Sequence, residues 1–454
     1  DHALSAGANA AVHIIATGTP NEFFGYLDTY YRLDKSSADK AADLTLLGIK
    51  VSIFDSDYIA MPPGAHWLPS TGTDVPQSDP RTHPYDYYEL DLEVVIPSDW
   101  LIAGPGLRER LESNGDSTRF RFHPKSPVPH VGLFAAQFER RTMEVAGIHF
   151  EVLFSPLHSK NFDLMAPSVD LLRQRLTELF NNAQNMGMTY PYDSLTLVET
   201  PSHLRGYGGG WRMDTTQSMP GVMMLRENSF PTARFDRPFS KQNYAKKTAW
   251  WDNWEGGLAG AQVDLMERFI GNDFSGGNLF AGVTRNFFGL QTSAVGDGAH
   301  AINFVLDALT SSLLTNTTGY FSAHEFESVR VLGSEFMIAT FTRPDRSISE
   351  NLIDTLTDRP SVWDRALGTP LISLEPTEDP GQVLNVLTLK GYAIADSIIA
   401  GLGREKAGLL LSTLIERYRG KHFEAADFPA LADELELELV PLLGDWLQDT
   451  ALAG

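Results

Sequence analysis

The chain has 454 residues and carries 36 Lys and Arg against 58 Asp and Glu, a formal net charge of −22. Hydrophobic residues at 43% and charged residues at 21% are the composition of folded protein, and at roughly 150 residues per domain the length gives two to four cores. The acidic excess disfavours nucleic acid and anionic membrane surfaces, both of which need clustered Lys and Arg, and the absence of Cys excludes disulfides, thiolate metal sites and a Cys nucleophile. No run of about 18 apolar residues occurs, so no segment reads as a membrane-spanning helix. The opening Asp1-His2-Ala3-Leu4, with neither Met nor a signal peptide, predicts a processed or excised piece.

Residues 1 to about 155 read as all-β. Ala11-Val12-His13-Ile14-Ile15-Ala16 has strand composition, and Tyr88 to Ile96 alternates apolar with acidic residues, as a half-buried strand does. Dense Pro and Gly between Met61 and Pro84 predict a loop, and Thr142 to Phe154 predicts a hairpin turning at Ala146-Gly147. From Pro167 the period changes: Val169, Leu172, Leu176, Leu179 and Phe180 recur at helical spacing, which predicts a helix to about Asn181. Ser194 to Glu199 predicts a strand, and Met223-Met224-Leu225 another after the glycine-rich loop Gly206 to Gly210. Residues 250–330 read as mostly helical, with Ala301 to Leu314 the clearest case, 343–382 as punctuated by Pro and Asp, and 383–450 as helical again.

The order of several segments carries a resemblance. Ala65-His66-Trp67-Leu68-Pro69-Ser70 precedes the β-segment that ends Ile96-Pro97-Ser98-Asp99-Trp100, followed by Phe134-Ala135-Ala136, the hairpin and the helix. Then come Leu195-Thr196-Leu197-Val198-Glu199-Thr200-Pro201-Ser202 and Pro220-Gly221-Val222-Met223-Met224-Leu225-Arg226-Glu227. This series resembles the zinc aminopeptidases of the aminopeptidase N and leukotriene hydrolase type, the gluzincin fold. Its closest likeness is to the ectodomains fused to, or encoded beside, bacterial ABC-transporter permeases. The resemblance implies a multidomain α+β protein: a β-sandwich-like domain over 1–155 that lacks its first strands, a thermolysin-like α/β domain over 156–345, and a helical domain over 346–454.

That family binds zinc with H-E-x-x-H on a helix and a second Glu 19 residues after the second His. A G-x-M-E-N loop holds the substrate amine, and a Tyr of Tyr-x-Lys-Gly donates to the oxyanion. Phe280-Ala281-Gly282-Val283-Thr284-Arg285-Asn286-Phe287-Phe288-Gly289 has the aromatic pair and Gly that follow the family's zinc helix. In that register Ala281 and Arg285 stand where the His ligands belong and Gly282 where the catalytic Glu belongs. Phe304, 19 residues after Arg285, replaces the last ligand, while its neighbours Ile302 and Asn303 match. Ser218 stands at the amine-binding Glu, and in Thr388-Leu389-Lys390-Gly391 the oxyanion Tyr is Thr388. The implied reading is a pseudo-peptidase with no metal and no cofactor. Its binding cleft would be lined by Gly208, Gly209, Gly210, Ser218, Arg285 and Phe304. Its implied setting is the periplasmic side of a bacterial envelope, with a membrane permease or another envelope protein as partner and a peptide in the cleft. The alternative is an active zinc peptidase with ligands drawn from His300, His324, Glu325 or Glu327.

Other features read as bland. His324-Glu325 is half of H-E-x-x-H, but Ser328 stands at the second His position. His158, His203 and His300 are scattered, which fits satisfied or exposed rings. The glycine-rich loop lacks the Gly-Lys-Ser/Thr ending of a phosphate loop, and no Gly-x-Ser-x-Gly elbow occurs. Acidic pairs such as Asp55/Asp57 are expected by chance among 58 acids, and one sequon, Asn316-Thr317-Thr318, carries little weight. Trp250, Trp251 and Trp254 read as core anchors or a partner surface.

Overall fold

A computed structural model describes residues 10–15, 57–61, 68, 86–200, 216–226, 256–270, 279–315, 368–374, 386–439 and 445–449. Gly208, Gly209, Gly210, the Trp250 to Trp254 cluster, His203, His324, Glu325 and Glu327 lie outside these residues.

Among the described residues, the first part of the chain gives six short strands, β1 (Tyr58–Met61), β2 (Leu92–Pro97), β3 (Leu101–Ala103), β4 (Arg108–Asn114), β5 (Ser117–Phe122) and β6 (Leu133–Ala136). They form two antiparallel sheets, ordered β1-β6-β3 and β2-β5-β4. Strict alternation in β5 sends Phe120 and Phe122 into a core with Trp100, Ile102, Val128 and Leu133. Its outward residues carry a charge ladder: Arg119 bridges Glu93 at 3.1 Å and Glu112 at 3.0 Å, and Arg121 holds Asp91. Such exposed pairs contribute little energy each, but they match opposite charges across the strand register. The strand expected at Ala11 is not formed: residues 10–15 have no regular structure, and Val12 and Ile15 are 76% and 78% exposed. Apolar alternation makes a strand only where an edge is available to pair, and no described strand lies beside this segment.

A five-stranded mixed sheet follows, built from β7 (Glu139–Val145), β8 (Ile148–Phe154), β9 (Ser194–Thr200), β10 (Thr216–Met219) and β11 (Val222–Arg226) in the order β10-β11-β9-β8-β7. The predicted hairpin is present, with Ala146 and Gly147 both at positive φ in its two-residue turn, and it pairs into this sheet through β9. β9 runs parallel to both β8 and β11 and is buried along its whole length, as a central strand covered on both faces must be.

Among the described residues, five helices belong to this region: α1 (Ser159–Leu164), α2 (Val169–Asn185), α3 (Gly257–Ile270), α4 (Leu279–Thr284) and α5 (Ala299–Thr315). The C-terminal part adds a π-helical turn, Leu387–Gly391, which runs into α6 (Tyr392–Leu402), then α7 (Arg404–Tyr418) and α8 (Asp427–Glu434). The stretch read as mostly helical also holds a strand, β12 (Thr292–Val295), paired in parallel with β13 (Lys421–Glu424). One continuous core joins Leu306, Leu309 and Leu313 of α5 to Ile394 and Ile398 of α6 and Leu410 and Leu414 of α7. Between the sheets, buried Glu151 of β8 meets Arg108 of β4 at 2.8 Å, while Arg108 Nη1 donates to the Ile102 carbonyl at 2.6 Å.

Candidate functional site

The region of interest begins at the β10–β11 hairpin. Pro220-Gly221 closes it, with Gly221 at φ +68°, where a Cβ would come 2.7 Å from the Gly106 nitrogen. Glycine answers both the turn and the close approach. The Gly221 N–H donates to Asn286 Oδ1 at 3.1 Å, and Ser218 Oγ donates to the Gly282 carbonyl at 2.8 Å. The hairpin is thereby fastened to α4. Met223, buried on β11, fills the space over Gly282: a Cβ there would meet Met223 Cε at 2.1 Å and Ser218 Oγ at 2.9 Å.

The predicted single helix through Gly282 and Arg285 is shorter than expected. α4 ends at Thr284 and a 3₁₀ turn, Arg285–Phe287, continues it. Gln291 supplies the physical reason, because its Nε2 donates to the Asn286 and Phe287 carbonyls, each at 2.9 Å, in place of the α-helical ladder. Arg285 Nε lies 3.3 Å from Asp307 Oδ2, with both side chains largely enclosed. Gly289 makes room for this carboxylate, since a Cβ there would fall 2.1 Å from Asp307 Oδ1. Burial pushes the Asp307 carboxyl upward, and the Arg285 cation opposes that shift.

Asp307 sits one turn beyond Phe304 on α5. The Phe304 ring lies against Gly391, where a Cβ would come within 2.6 Å of its Cδ1, and meets Tyr392 edge-on at 5.6 Å. Thr388 belongs to the same π-helical turn. Buried Lys390 there donates from Nζ to the Thr369 carbonyl at 2.5 Å, and burial draws its pKa down. Asn303, one of the matching positions, pins β12 by exchanging two hydrogen bonds with the Ala294 backbone, at 2.7 and 3.1 Å. Ser218 and Gly282 are thus in direct contact, α4 packs on α5, and Phe304 meets the segment of Thr388.

Three residues of this site escaped sequence reasoning: Met223 as a filler, Asp307 as the partner of Arg285, and His130. His130 hydrogen-bonds the Ser218 backbone, and burial together with the Arg285 charge lowers its pKa to about 3. None of the three stands in a motif, so only the spatial arrangement shows them. Of the other histidines, His158 Nδ1 lies 2.6 Å from Glu199 Oε1, and His300 Nε2 is 3.0 Å from the Leu371 carbonyl.

Zinc needs converging lone pairs from His, Asp or Glu. Ala and Phe offer none, and Arg285 brings a permanent cation already engaged with Asp307. Among the described residues no three His, Asp or Glu side chains converge as a metal site. In the register that the sequence resemblance implies, the residues at the ligand positions do not fit the metal.

No family model matches the chain, and no curated protein matches it in sequence. In solved structures it is similar to an M1 zinc metallopeptidase from Deinococcus radiodurans, with a TM-score of 0.51 at 13% identity over 88% of this chain and 72% of that one. A variant of an M1 zinc metallopeptidase from Deinococcus radiodurans bound to a Tyr-Ser-Ala substrate matches with a TM-score of 0.46 at 13% identity, over 82% of this chain and 66% of that one. The first likeness is one of fold alone: this chain has a mixed helix-and-sheet fold similar to that of an M1 zinc metallopeptidase.

Proposed function

We propose that the protein is a catalytically inactive aminopeptidase-like module that serves binding or assembly. The observation that supports this most is Gly282, where the space for a catalytic side chain is filled by Met223. The aligned positions leave four roles unfilled: zinc binding at Ala281, Arg285 and Phe304, water activation at Gly282, amine anchoring at Ser218 and oxyanion donation at Thr388. Losing one oxyanion donor alone costs about a hundred- to a thousandfold in rate. Restoring a carboxylate by Gly282→Glu would leave the other roles unfilled.

The proposed domains are 1–155, 156–345 and 346–454, with the hairpin β7–β8 at the end of the first pairing into the sheet of the second. The proposed setting, taken from the sequence resemblance, is the periplasmic side of a bacterial envelope beside an ABC-transporter permease, with that permease or another envelope protein as partner. No helix among the described residues is long and apolar enough to cross a membrane. Cross-linking in native envelopes followed by mass spectrometry tests the partner, with a permease subunit as the expected product. Zinc-dependent turnover that survives substitution of Arg285 and Phe304 but is lost in His324→Ala would replace this reading with an active peptidase.

A further inference from the structure

Two exposed ion pairs of this protein show what an arginine can make of a carboxylate. Arg121 donates from Nε and Nη2 to the two oxygens of Asp91 at 2.8 and 2.6 Å. Arg417 holds both oxygens of Glu434 at 2.9 and 2.8 Å. This two-point fork is the strongest arrangement open to the two groups, because the guanidinium plane matches the carboxylate plane.

The enclosed pair of the candidate site falls short of it. Arg285 reaches Asp307 through one hydrogen bond, from Nε to Oδ2, at 3.3 Å. Asp307 Oδ1 is buried with no hydrogen-bond partner and lies against Gly289, where a Cβ would fall 2.1 Å away. A carboxylate oxygen shut away from both water and donors is costly. The Asp307 carboxyl accordingly stays raised by burial in spite of the cation beside it. Yet the pair is not sealed in a core, since the two side chains keep 16% and 23% of their exposure. Phe304, one turn before Asp307 on α5, and Tyr392, which meets it edge-on, are both half-buried and add apolar surface on the same side of the helix.

We infer that Arg285 is a carboxylate anchor of the binding cleft, and that Asp307 is an internal stand-in which the free carboxyl end of a peptide displaces. A peptide end brings two oxygens to the guanidinium fork and gains the two-point geometry that Asp307 does not reach. This deepens the binding-module reading, on which it rests, by naming the ligand group and its built-in competitor.

The test is calorimetric titration of the full chain at pH 7 with N-acetyl-Ala-Phe, with the C-terminal amide of the same dipeptide, and with acetate. Wild type is compared with Asp307→Asn and Arg285→Lys, after circular dichroism and thermal melting have shown each to be folded. Wild type is expected to bind the acid at least about tenfold more tightly than the amide, and acetate more weakly than the peptide acid. Asp307→Asn removes the competitor and should tighten acid binding by about tenfold more, leaving the amide unchanged. Arg285→Lys keeps the charge but loses the fork, and should lose most of the preference for the acid. Acid and amide binding equally, or a folded Asp307→Asn that binds the acid no more tightly than wild type, overturns the inference. Acetate binding as tightly as the peptide acid overturns the assignment to a peptide end. Should Asp307→Asn not fold, NMR of the wild type decides: the Arg285 Nε–H signal should shift with the acid and not with the amide, and a signal unmoved by the acid overturns the inference. Zinc content and turnover of the same samples report separately on the non-catalytic reading, so a lost acid preference without zinc or turnover strikes this inference alone.

Discussion

Gly282 is where one atom decides the character of the site. The atom nearest to an added Cβ is the mobile end of Met223, which can swing away, so Gly282→Ala should lower stability by less than about 1 kcal/mol. Gly282→Glu must also house a carboxylate between Met223 and Ser218 and should lower it by about 1–3 kcal/mol, without turnover. Urea denaturation of the two variants measures the difference. Arg285 and Asp307 are a second such point. Asp307→Asn removes the charge opposite an enclosed guanidinium and should destabilise by about 1–3 kcal/mol, toward the low end of buried pairs because both groups keep some exposure to water. Pairing it with Arg285→Met should recover part of that loss in a double-mutant cycle. His130 gives the pH dependence its sign. Its folded pKa is about 3 against 6.5 for the free ring, so the unfolded chain takes up the proton first and stability falls as pH drops from about 6.5 towards 3. Asp307, with its raised pKa, works the other way, since the folded form is protonated first and its burial penalty is relieved by acid. His130→Asn should flatten the decline between pH 7 and 4.5 in urea denaturation, with Arg285 the charged group that bears on this position.

At the scale of elements, the sequence was readable where one segment carries its own pattern. The Thr142 to Phe154 hairpin turns at Ala146-Gly147, the helix beginning at Val169 buries Leu176, Leu179, Phe180 and Ala183 although Val169 itself is exposed, and Ser194 to Thr200 is a buried strand. β12 was missed because Thr292-Ser293-Ala294-Val295 has no strand pattern of its own and is fixed by β13, more than a hundred residues later. Parallel pairing over such a separation leaves no local mark. The candidate positions of the site were singled out in sequence because Arg285 and Phe304 keep the 19-residue spacing that the resemblance implies. What surrounds them was not, because Met223, Asp307 and His130 reach the site from a strand, a helix and a loop of unrelated local pattern. The link between the two sheet systems is equally silent in sequence. Glu151→Gln should leave Arg108 enclosed without a countercharge and destabilise by about 2–4 kcal/mol, read as a lowered urea midpoint. Arg108→Met combined with Glu151→Leu should be much milder.

For the whole molecule, the shared core of α5, α6 and α7 means that the C-terminal helices complete the floor beneath Phe304 and Asp307. The fold is similar to that of a metallopeptidase, and in the inactive reading proposed here the region around Gly282 and Arg285 is filled by apolar packing and one ion pair. Fold and chemistry separate here, since the same architecture can hold a site or a solid joint. The most direct measurement is metal content: the purified full chain is incubated with excess zinc, dialysed and assayed for zinc per chain, with turnover of an amino-acid anilide followed in the same samples. Zinc well below one per chain and no turnover, in wild type and in Gly282→Glu alike, is the expected result. One zinc per chain with turnover that a chelator abolishes would show that the centre is intact and that the packed joint at Gly282 and Arg285 has been misread.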